Sequence, residues 1–362
     1  MRMFKWLVAV LALAMAQNAM AAEKIVVGYQ AYSTEYYSCQ VIKAKELWKK
    51  YMPADTEVVF ENALQGAVIV NALVAGKQEI GYLGDMPSVV ATTKDAIAPI
   101  KLVANTAFSR GQYCNILMVR ADAPKFANYE EAVKWLDGKS VATPKGSCAE
   151  RFLRIVMEKT GVKPAQILNQ SLEVIATNFR VKKIDAAVLW EPTVSRIGEL
   201  VGEGVARIVT TGYDFNADDA GFLAMRSDFI EKHPDLARAW LQAELDAQLW
   251  ILDPANWNEM AQIVSQNATG VTPEIAKFAE FALIPASCGG APERDIKPYI
   301  FTEPVQALLE GTYKFLHNNK IIHVDKAPEG SLDDSIARKI LAERGLKAPL
   351  GYIPPKPSEG AK

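Results

Sequence analysis

Short apolar runs alternate with amphipathic helical patterns along this chain, and that alternation limits the fold more than any other feature. Strand and helix patterns of the first series cover residues 24–30, 41–51, 56–61, 66–76, 79–84 and 99–106. Strands joined to helices by short connections are typically parallel and linked by right-handed crossovers. A second series of the same kind begins near residue 120 and closes near residue 212. The sequence therefore predicts two α/β units.

The N-terminal residues have the composition of a secretory signal. A basic start with Arg2 and Lys5 precedes the apolar run 6–16, and residues 19–21 read Ala-Met-Ala, a small-x-small cleavage pattern. No cysteine stands at that point to carry a lipid anchor. We therefore expect residues 1–21 to be a signal peptide and the protein to be exported, most simply into a bacterial periplasm.

The charge balance argues against a nucleic-acid binder. The chain carries 40 Lys and Arg against 42 Asp and Glu, a formal net charge of −2, whereas nucleic-acid-binding surfaces need a basic excess. Its three histidines are His233, His317 and His323, and no cysteine pair has metal-ligand spacing. We therefore expect no metal and no cofactor, and a monomer whose partner is a small molecule.

The order of the two series predicts two lobes that the chain connects twice, near residues 106–120 and 212–224. Each lobe should be a mostly parallel sheet flanked by helices, and residues 346–362, rich in proline, should form an irregular tail. Ligands of open α/β sheets lie beyond the carboxyl ends of the strands, so we expect the site in a cleft that closes by a hinge motion. The predicted division is 22–115 and 220–345 for lobe one, and 116–219 for lobe two.

Five stretches, in order along the chain, resemble one known family. They are VVGYQ (26–30), ALVAGKQEIGYLGDMPSVVA (72–91), GKSVATPKGSCAERFL (138–153), KIDAAVLWEPTV (183–194) and MRSDFIEKHPDLARAWLQA (225–243). Together they resemble the periplasmic solute-binding proteins of ABC importers, specifically the taurine, alkanesulfonate and nitrate group (NitT/TauT). The resemblance covers about residues 24–320.

This resemblance implies a two-lobed type II fold, one ligand in the cleft, and delivery to a membrane permease with its ATPase. It leaves the ligand open, because the family binds sulfonates, nitrate, bicarbonate, thiamine pyrimidine precursors and aromatic acids. The chain also departs from the taurine-binding pattern: its cleft loop carries Asp85 where that pattern is closer to GSSP, and KGSCAE replaces a loop rich in serine and threonine.

The first candidate part of the site is the strand-to-helix junction at Gly84, Asp85 and Met86. The glycine would let a ligand approach the backbone. Asp85 has two interpretations: its carboxylate caps the following helix, or it faces an amine of the ligand. A carboxylate here would repel an anion at short range, so this junction is a poor anion site.

A second junction, at Gly146, Ser147 and Cys148, occupies the corresponding place in lobe two. It offers a hydroxyl and free backbone N–H groups, so we expect a sulfonate or carboxylate to bind here. The alternative is an ordinary serine N-cap.

Other candidates follow from their place at strand ends. Gln30, Tyr32 and Tyr36 come after the first strand and could hydrogen-bond the ligand or wall an aromatic or ammonium group. Trp190 and Glu191 end a lobe-two strand, where the tryptophan could form a wall and the carboxylate could accept from an amine or hydroxyl.

Two further polar residues complete the predicted site. Arg110 at the first crossover could pair with an acidic ligand, or it forms a surface or inter-lobe salt bridge. Asn178 has the same standing at another predicted strand end. The pairing of Cys39, Cys114, Cys148 and Cys288 stays open, and we expect bridging within a lobe or free thiols, because a bridge between lobes would limit closure.

The sequence thus favours a non-enzymatic binding protein for a small organic anion or zwitterion, most simply a sulfonate such as taurine. Another ligand of the same family is the first alternative. The second is a desulfinase-like or pyrimidine-forming enzyme on the same fold, with no catalytic residue assigned and with Cys39 as the one tempting nucleophile.

Overall fold

A computed structural model describes residues 23–356, so the predicted signal peptide lies outside the described residues. Within that range two sheets are present, each belonging to one lobe. The strands are β1 (Lys24–Tyr29), β2 (Glu57–Asn62), β3 (Ile80–Gly84), β4 (Ile100–Ser109), β5 (Ile116–Arg120), β6 (Ser140–Thr143), β7 (Gln166–Asn169), β8 (Ala186–Leu189), β9 (Ala206–Thr211), β10 (Asp219–Arg226), β11 (Asp295–Lys297) and β12 (Gly351–Ile353).

Helices flank both sheets. Across residues 23–356 they are α1 (Tyr37–Lys45), α2 (Gly66–Val74), α3 (Asp85–Thr92), α4 (Tyr129–Trp135), α5 (Cys148–Thr160), α6 (Leu172–Arg180), α7 (Thr193–Ile197), α8 (Ser227–Lys232), α9 (Pro234–Leu252), α10 (Trp257–Asn267), α11 (Pro273–Phe281), α12 (Glu303–Asn318) and α13 (Ser335–Glu343). No helix in this part of the chain is long and apolar enough to cross a bilayer.

Lobe one contains a seven-stranded sheet with the order β12-β11-β4-β10-β3-β1-β2. β1 pairs in parallel with β2 and β3, whereas β10 runs antiparallel between β3 and β4. Successive side chains along each strand point to opposite faces of the sheet. Helices pack against both faces, so that the strands contribute to two cores. Tyr82 packs into one core and its neighbour Leu83 into the other.

Lobe two contains a five-stranded sheet with the order β7-β6-β8-β5-β9. β6 is parallel to β7 and β8, and β5 is antiparallel to β8 and β9. The predicted α/β class with two lobes is therefore confirmed, but the sheets are mixed rather than mostly parallel. The crossovers are the reason: β5 and β10 each enter a sheet from the opposite lobe and run against their neighbours.

The C-terminal segment also differs from its prediction. The sequence predicts an irregular tail over 346–362, whereas β12 pairs antiparallel with β11 at the edge of the lobe-one sheet. Ala282 forms a further bridge with Lys356. Proline residues at 354 and 355 follow the strand directly. Prolines favour the prediction of an irregular tail, but they are tolerated at sheet edges, so the sequence did not indicate this three-residue edge strand.

The two crossovers are tied together by one buried carboxylate, that of Asp219 at the start of β10. Its Oδ2 accepts from the backbone N–H groups of Tyr113, Cys114 and Asn115 at 3.2, 2.7 and 3.0 Å. Its Oδ1 accepts from Ser109 Oγ at 2.5 Å. One side chain therefore fixes the turn that leads from β4 into β5 and the strand that returns from lobe two.

A disulfide bond joins Cys114 and Cys148. Cys114 lies just before β5 and Cys148 begins α5, and both side chains pack in the lobe-two core. The bond therefore lies within one lobe, so that it does not lock the lobes together. Cys39 and Cys288 are free.

Several buried carboxyl groups have raised pKa values because burial penalises their charged forms. Burial raises the pKa of Glu244 to about 7 and that of Glu280 to about 8. Glu244 lies in the lobe-one core, where it accepts from Tyr82 Oη at 2.7 Å and Gln248 Nε2 at 2.8 Å. These hydrogen bonds lower its pKa, but they do not outweigh the burial.

This raised pKa makes stability depend on pH. An acid with a higher pKa in the folded chain binds more protons when folded, so its contribution is present at low pH. For Glu244 the contribution is full below pH 4.5 and is lost as pH rises from 4.5 to about 7. In the wild type, the free energy of unfolding should fall as pH rises through this window. In Glu244→Gln we expect that fall to be smaller by about 2 kcal/mol.

Urea denaturation of wild type and variant at about pH 4.5 and pH 7.5 measures this difference, since the two pH values bracket the titration. Glu310→Gln, at an exposed position of α12, is the matched control and should follow the wild type. Parallel pH profiles for wild type and Glu244→Gln would contradict the expectation.

Candidate functional site

A small cavity lies between the lobes, at the carboxyl ends of parallel strands from both sheets. Residues that follow β1, β2 and β3 line it on one side, and residues that follow β6 and β8 line it on the other. Its volume is about 30 Å³, so the lobes are closed around it. Its lining is Gln30, Ser33, Glu35, Tyr36, Gln65, Gly66, Ala67, Gly84, Pro87, Cys114, Pro144, Lys145, Gly146, Ser147, Cys148 and Trp190.

Seven predicted site residues fall within this lining: Gln30, Tyr36, Gly84, Gly146, Ser147, Cys148 and Trp190. The structure therefore brings together residues up to 160 positions apart in sequence, as expected for a cleft between two α/β units. Which of them contact a ligand stays a prediction. The remaining six lie outside the lining.

Two helices begin at the cavity. α2 presents Gly66 and Ala67 from lobe one, and α5 presents Cys148 from lobe two. The first N–H groups of a helix have no intrahelical acceptor and favour negative charge. The cavity therefore has an anion-attracting element on each lobe.

The α5 junction contains the serine N-cap that the sequence offered as the alternative to an anion site. Ser147 Oγ accepts from the backbone N–H of Glu150 at 3.2 Å, while Glu150 Oε2 accepts from the N–H of Gly146 at 2.7 Å. The Glu150 side chain thus reaches back to the residue before the N-cap. Ser147 Oγ also donates to Pro144 O at 2.6 Å. The Ser147 hydroxyl is thus engaged in capping, and the N–H groups of the first turn are the better anion donors.

Gly84 lies at the cavity, where atoms of both lobes come close to its backbone. A Cβ atom there would lie 3.3 Å from Tyr36 Oη, 3.5 Å from Glu35 Oε2 and 3.7 Å from Cys148 Sγ. Its φ of −68° needs no glycine. The glycine therefore serves to leave space beside a hydroxyl, a carboxylate and the lobe-two bridge.

Asp85 lies outside the cavity lining. Its Oδ1 accepts from Met86 N at 2.5 Å, and its Oδ2 accepts from Arg151 Nη2 at 2.5 Å across the lobe boundary. Burial raises the pKa of Asp85, and the Arg151 guanidinium opposes that shift. Arg151 Nη2 also donates to Asp218 O at 2.7 Å. Asp85 is thus not the N-cap of α3, which is Gly84, but one half of a buried inter-lobe ion pair.

Glu191 makes a second buried contact between lobes and also lies outside the lining. Its Oε1 accepts from Arg294 Nη2 at 3.2 Å, and its Oε2 accepts from Ser195 N at 2.9 Å. Its backbone oxygen accepts from Thr34 N at 3.2 Å. Burial raises the pKa of Glu191 against the effect of Arg294. This carboxylate therefore holds lobe two to lobe one beside the site.

The other predicted residues have structural partners. Trp190, in the lining, donates from Nε1 to Tyr32 O at 2.8 Å, and Tyr32 Oη donates to Thr269 O at 3.1 Å. Arg110 pairs with Asp218 at 3.2 Å. The remaining two predicted residues are Met86, which packs in a lobe-one core, and Asn178, which donates to Gln170 Oε1 at 3.0 Å.

Sequence reasoning missed Glu35. It lies in the polar, tyrosine-rich stretch after β1. Its side chain borders the cavity, and 3% of the residue's surface is exposed. Thr106 Oγ1 donates to its backbone oxygen at 2.8 Å. The sequence feature that could have identified Glu35 as a site residue is its position as the one acid beside four tyrosines in the stretch 29–37.

Two larger hollows exist elsewhere among residues 23–356. One is an open groove of about 730 Å³ on lobe two, and the other is a mainly apolar hollow of about 250 Å³ beside α7 and Cys288. Neither lies at the carboxyl ends of parallel strands from both sheets. We therefore take the smaller inter-lobe cavity as the functional site.

Comparisons with known proteins agree with this architecture. The taurine-binding periplasmic protein of Escherichia coli (strain K12) is 27% identical over 64% of this chain and 71% of its own length. The nitrate/nitrite binding protein NrtA of Synechocystis sp. is 24% identical over 62% of this chain and 53% of its own length. The alkanesulfonate-binding protein SsuA of Xanthomonas axonopodis pv. citri has a TM-score of 0.67 at 18% identity, over 86% of this chain and 99% of that chain.

Two sheets, a double crossover and a cavity at the facing strand ends give this chain the two-lobed type II fold of periplasmic binding proteins. The model of the NMT1-like family matches residues 14–265. The chain belongs to the NMT1-like family, and its resemblance to the taurine, alkanesulfonate and nitrate group is confirmed.

The same fold also occurs in an enzyme. The desulfurization enzyme DSZB has a TM-score of 0.60 at 15% identity, over 89% of this chain and 99% of its own. In this chain Cys39 lies on α1, outside the cavity lining, and burial raises the pKa of its thiol. A buried thiol with a raised pKa is a weak nucleophile, so Cys39 gives no support to an enzymatic interpretation.

The Asp85–Arg151 pair generates a prediction about lobe closure. Asp85→Asn keeps an acceptor for the Met86 N–H but removes the charge opposite Arg151. An uncompensated buried cation costs about 3 kcal/mol, and lobe opening would return Arg151 to water. We therefore expect the variant to populate the open form, with a larger radius of gyration in small-angle X-ray scattering.

Asp95→Asn, an exposed change just beyond α3, is the matched control and should scatter like the wild type. The double variant Asp85→Asn/Arg151→Gln should return towards the closed form, because no unpaired charge is left. Identical scattering from wild type and Asp85→Asn would show that the pair does not hold the lobes closed.

Proposed function

We propose that this chain is the periplasmic substrate-binding component of an ABC importer, and that it captures a small organic sulfonate or amino-sulfonate of the taurine type. Closure of the two lobes would trap the ligand, and the closed protein would deliver it to a permease and its ATPase at the inner membrane. The observation that carries the proposal is the small cavity between the lobes, bordered by the N-termini of α2 and α5.

The electrostatics support an anionic head group at these helix ends. Lys145 adds a positive side chain to the lobe-two border of the cavity. A sulfonate presents three oxygens to such donors, and hydrogen bonds from N–H groups to a charged acceptor are stronger than neutral ones. The anionic group would therefore lie towards α5, where Lys145 and the remaining N–H groups of the first turn favour it, although Glu150 already occupies the N–H of Gly146.

The opposite wall narrows the ligand further. Glu35, a buried acid on the lobe-one side of the cavity, could accept a hydrogen bond from an amine of the ligand. This feature favours an amino-sulfonate in particular. The relatives named for taurine and alkanesulfonate binding support the same ligand class.

Calorimetric titration of the mature protein tests this proposal. The panel is taurine, ethanesulfonate, benzenesulfonate, nitrate and bicarbonate at neutral pH. We expect taurine and ethanesulfonate to bind with micromolar or tighter dissociation constants, benzenesulfonate to bind more weakly, and the inorganic anions not to bind. Binding of nitrate or bicarbonate alone, or of none of the five, would refute it.

A further inference from the structure

Glu35 is an unusual carboxylate for a ligand-binding wall. It is 3% exposed and borders the cavity. Its Oε2 accepts from Ser33 Oγ at 3.3 Å, whereas Oε1 has no hydrogen-bond partner within residues 23–356. A buried acceptor without a partner is costly, so a group that donates to Oε1 would be bound favourably.

The side chain is held in place by its neighbours. Thr106 Oγ1 fixes its backbone oxygen, and a Cβ atom at Gly221 would come within 2.9 Å of the Glu35 Cβ. Residues of β4 and β10 therefore pack closely against the backbone and Cβ of Glu35. Glu35 can relieve its unpaired oxygen by binding a donor, but it cannot easily turn away.

The charges around Glu35 are mostly negative. Asp219 faces it from β10 and Asp85 from α3, and Tyr36 is its titratable neighbour in the chain. Among the cations, Arg151 is paired with Asp85, and Lys145 is exposed on the lobe-two border. No salt bridge to Glu35 exists in the described part of the chain. Burial first, and then Asp219 and Asp85, raise the pKa of Glu35 well above its ordinary value.

We propose that Glu35 is the receptor for an ammonium group on the ligand, and that it releases its own proton to solvent when that group binds. The exchange is balanced: the carboxylic acid loses one proton, the ammonium group keeps its charge and donates an N–H to the Glu35 carboxylate, and one proton enters the solvent. This inference rests on the proposed function and adds a specificity-determining residue to it.

The geometry suits a short zwitterion. The space beside Gly84 adjoins both Glu35 Oε2 and Cys148 Sγ, at 3.5 and 3.7 Å from the position of a Cβ atom there. Glu35 and the first residue of α5 therefore both border the space beside Gly84. An ammonium group at Glu35 and a sulfonate at α5 would belong to one short ligand.

Proton release has a consequence for selectivity. A ligand that must displace a proton binds more tightly as pH rises, by up to about tenfold per pH unit below the pKa of the group. A sulfonate without an amine leaves Glu35 protonated and gains nothing from higher pH. The protein would therefore discriminate between amino-sulfonates and plain sulfonates more strongly at higher pH.

Isothermal titration calorimetry in two buffers with different ionisation enthalpies measures the protons released. We expect taurine to release protons when it binds and ethanesulfonate to release none, because only an ammonium group replaces the proton. The dissociation constant of taurine should fall between about pH 6 and pH 8, while that of ethanesulfonate stays level.

Glu35→Gln supplies the decisive variant, because it keeps the shape and cannot exchange a proton. We expect it to lose proton release and to bind taurine at least about tenfold more weakly, with ethanesulfonate unchanged. Retained ethanesulfonate binding shows that the variant is folded. Glu231→Gln, exposed on α8, is the matched control and should behave as the wild type.

The outcomes separate the two proposals. If both sulfonates bind but taurine releases no proton, or if Glu35→Gln weakens both equally, the role of Glu35 is refuted and the sulfonate-binding function stands. If neither sulfonate binds the wild type, both proposals are refuted.

Discussion

The hinge of this protein depends on one buried carboxylate. The Asp219 carboxylate accepts hydrogen bonds from three backbone N–H groups and a serine hydroxyl of the first crossover. Asp219 itself lies at the start of β10, the strand that follows the second crossover. Burial raises its pKa to about 6, but the hydrogen bonds from Ser109, Cys114 and Asn115 act against that shift. Because both connections between the lobes meet at this side chain, the position of β5, the disulfide at Cys114 and the α5 junction all follow from it.

Across the cleft, the lobes are joined by ion pairs that no water reaches. Asp85–Arg151 and Glu191–Arg294 each place an acid of one lobe against a guanidinium of the other. Such pairs contribute less to stability than to fixing one arrangement, because desolvation offsets most of the attraction.

Local chemistry made some features predictable from the sequence. The limits of α5 follow from local chemistry, because a serine N-cap, a glutamate three residues later and a glycine at the end mark them. The partner of Asp85 was not predictable, since Arg151 lies 66 residues away on the other lobe. Glu35 was missed for the same reason: its burial depends on β4, β10 and lobe two, none of which is local to it.

The acids around the cavity also explain why a cation belongs there. Glu35, Asp85 and Asp219 all lie on the lobe-one side of the cleft and within Coulombic reach of one another, so three ionised carboxylates there would repel one another. Arg151 of lobe two compensates Asp85, and the crossover N–H groups compensate Asp219. Glu35 is left with either a proton or a cation as its compensation. A ligand that brings an ammonium group supplies that cation, so on this proposal the amine is recognised by the acid that forms no salt bridge among the described residues.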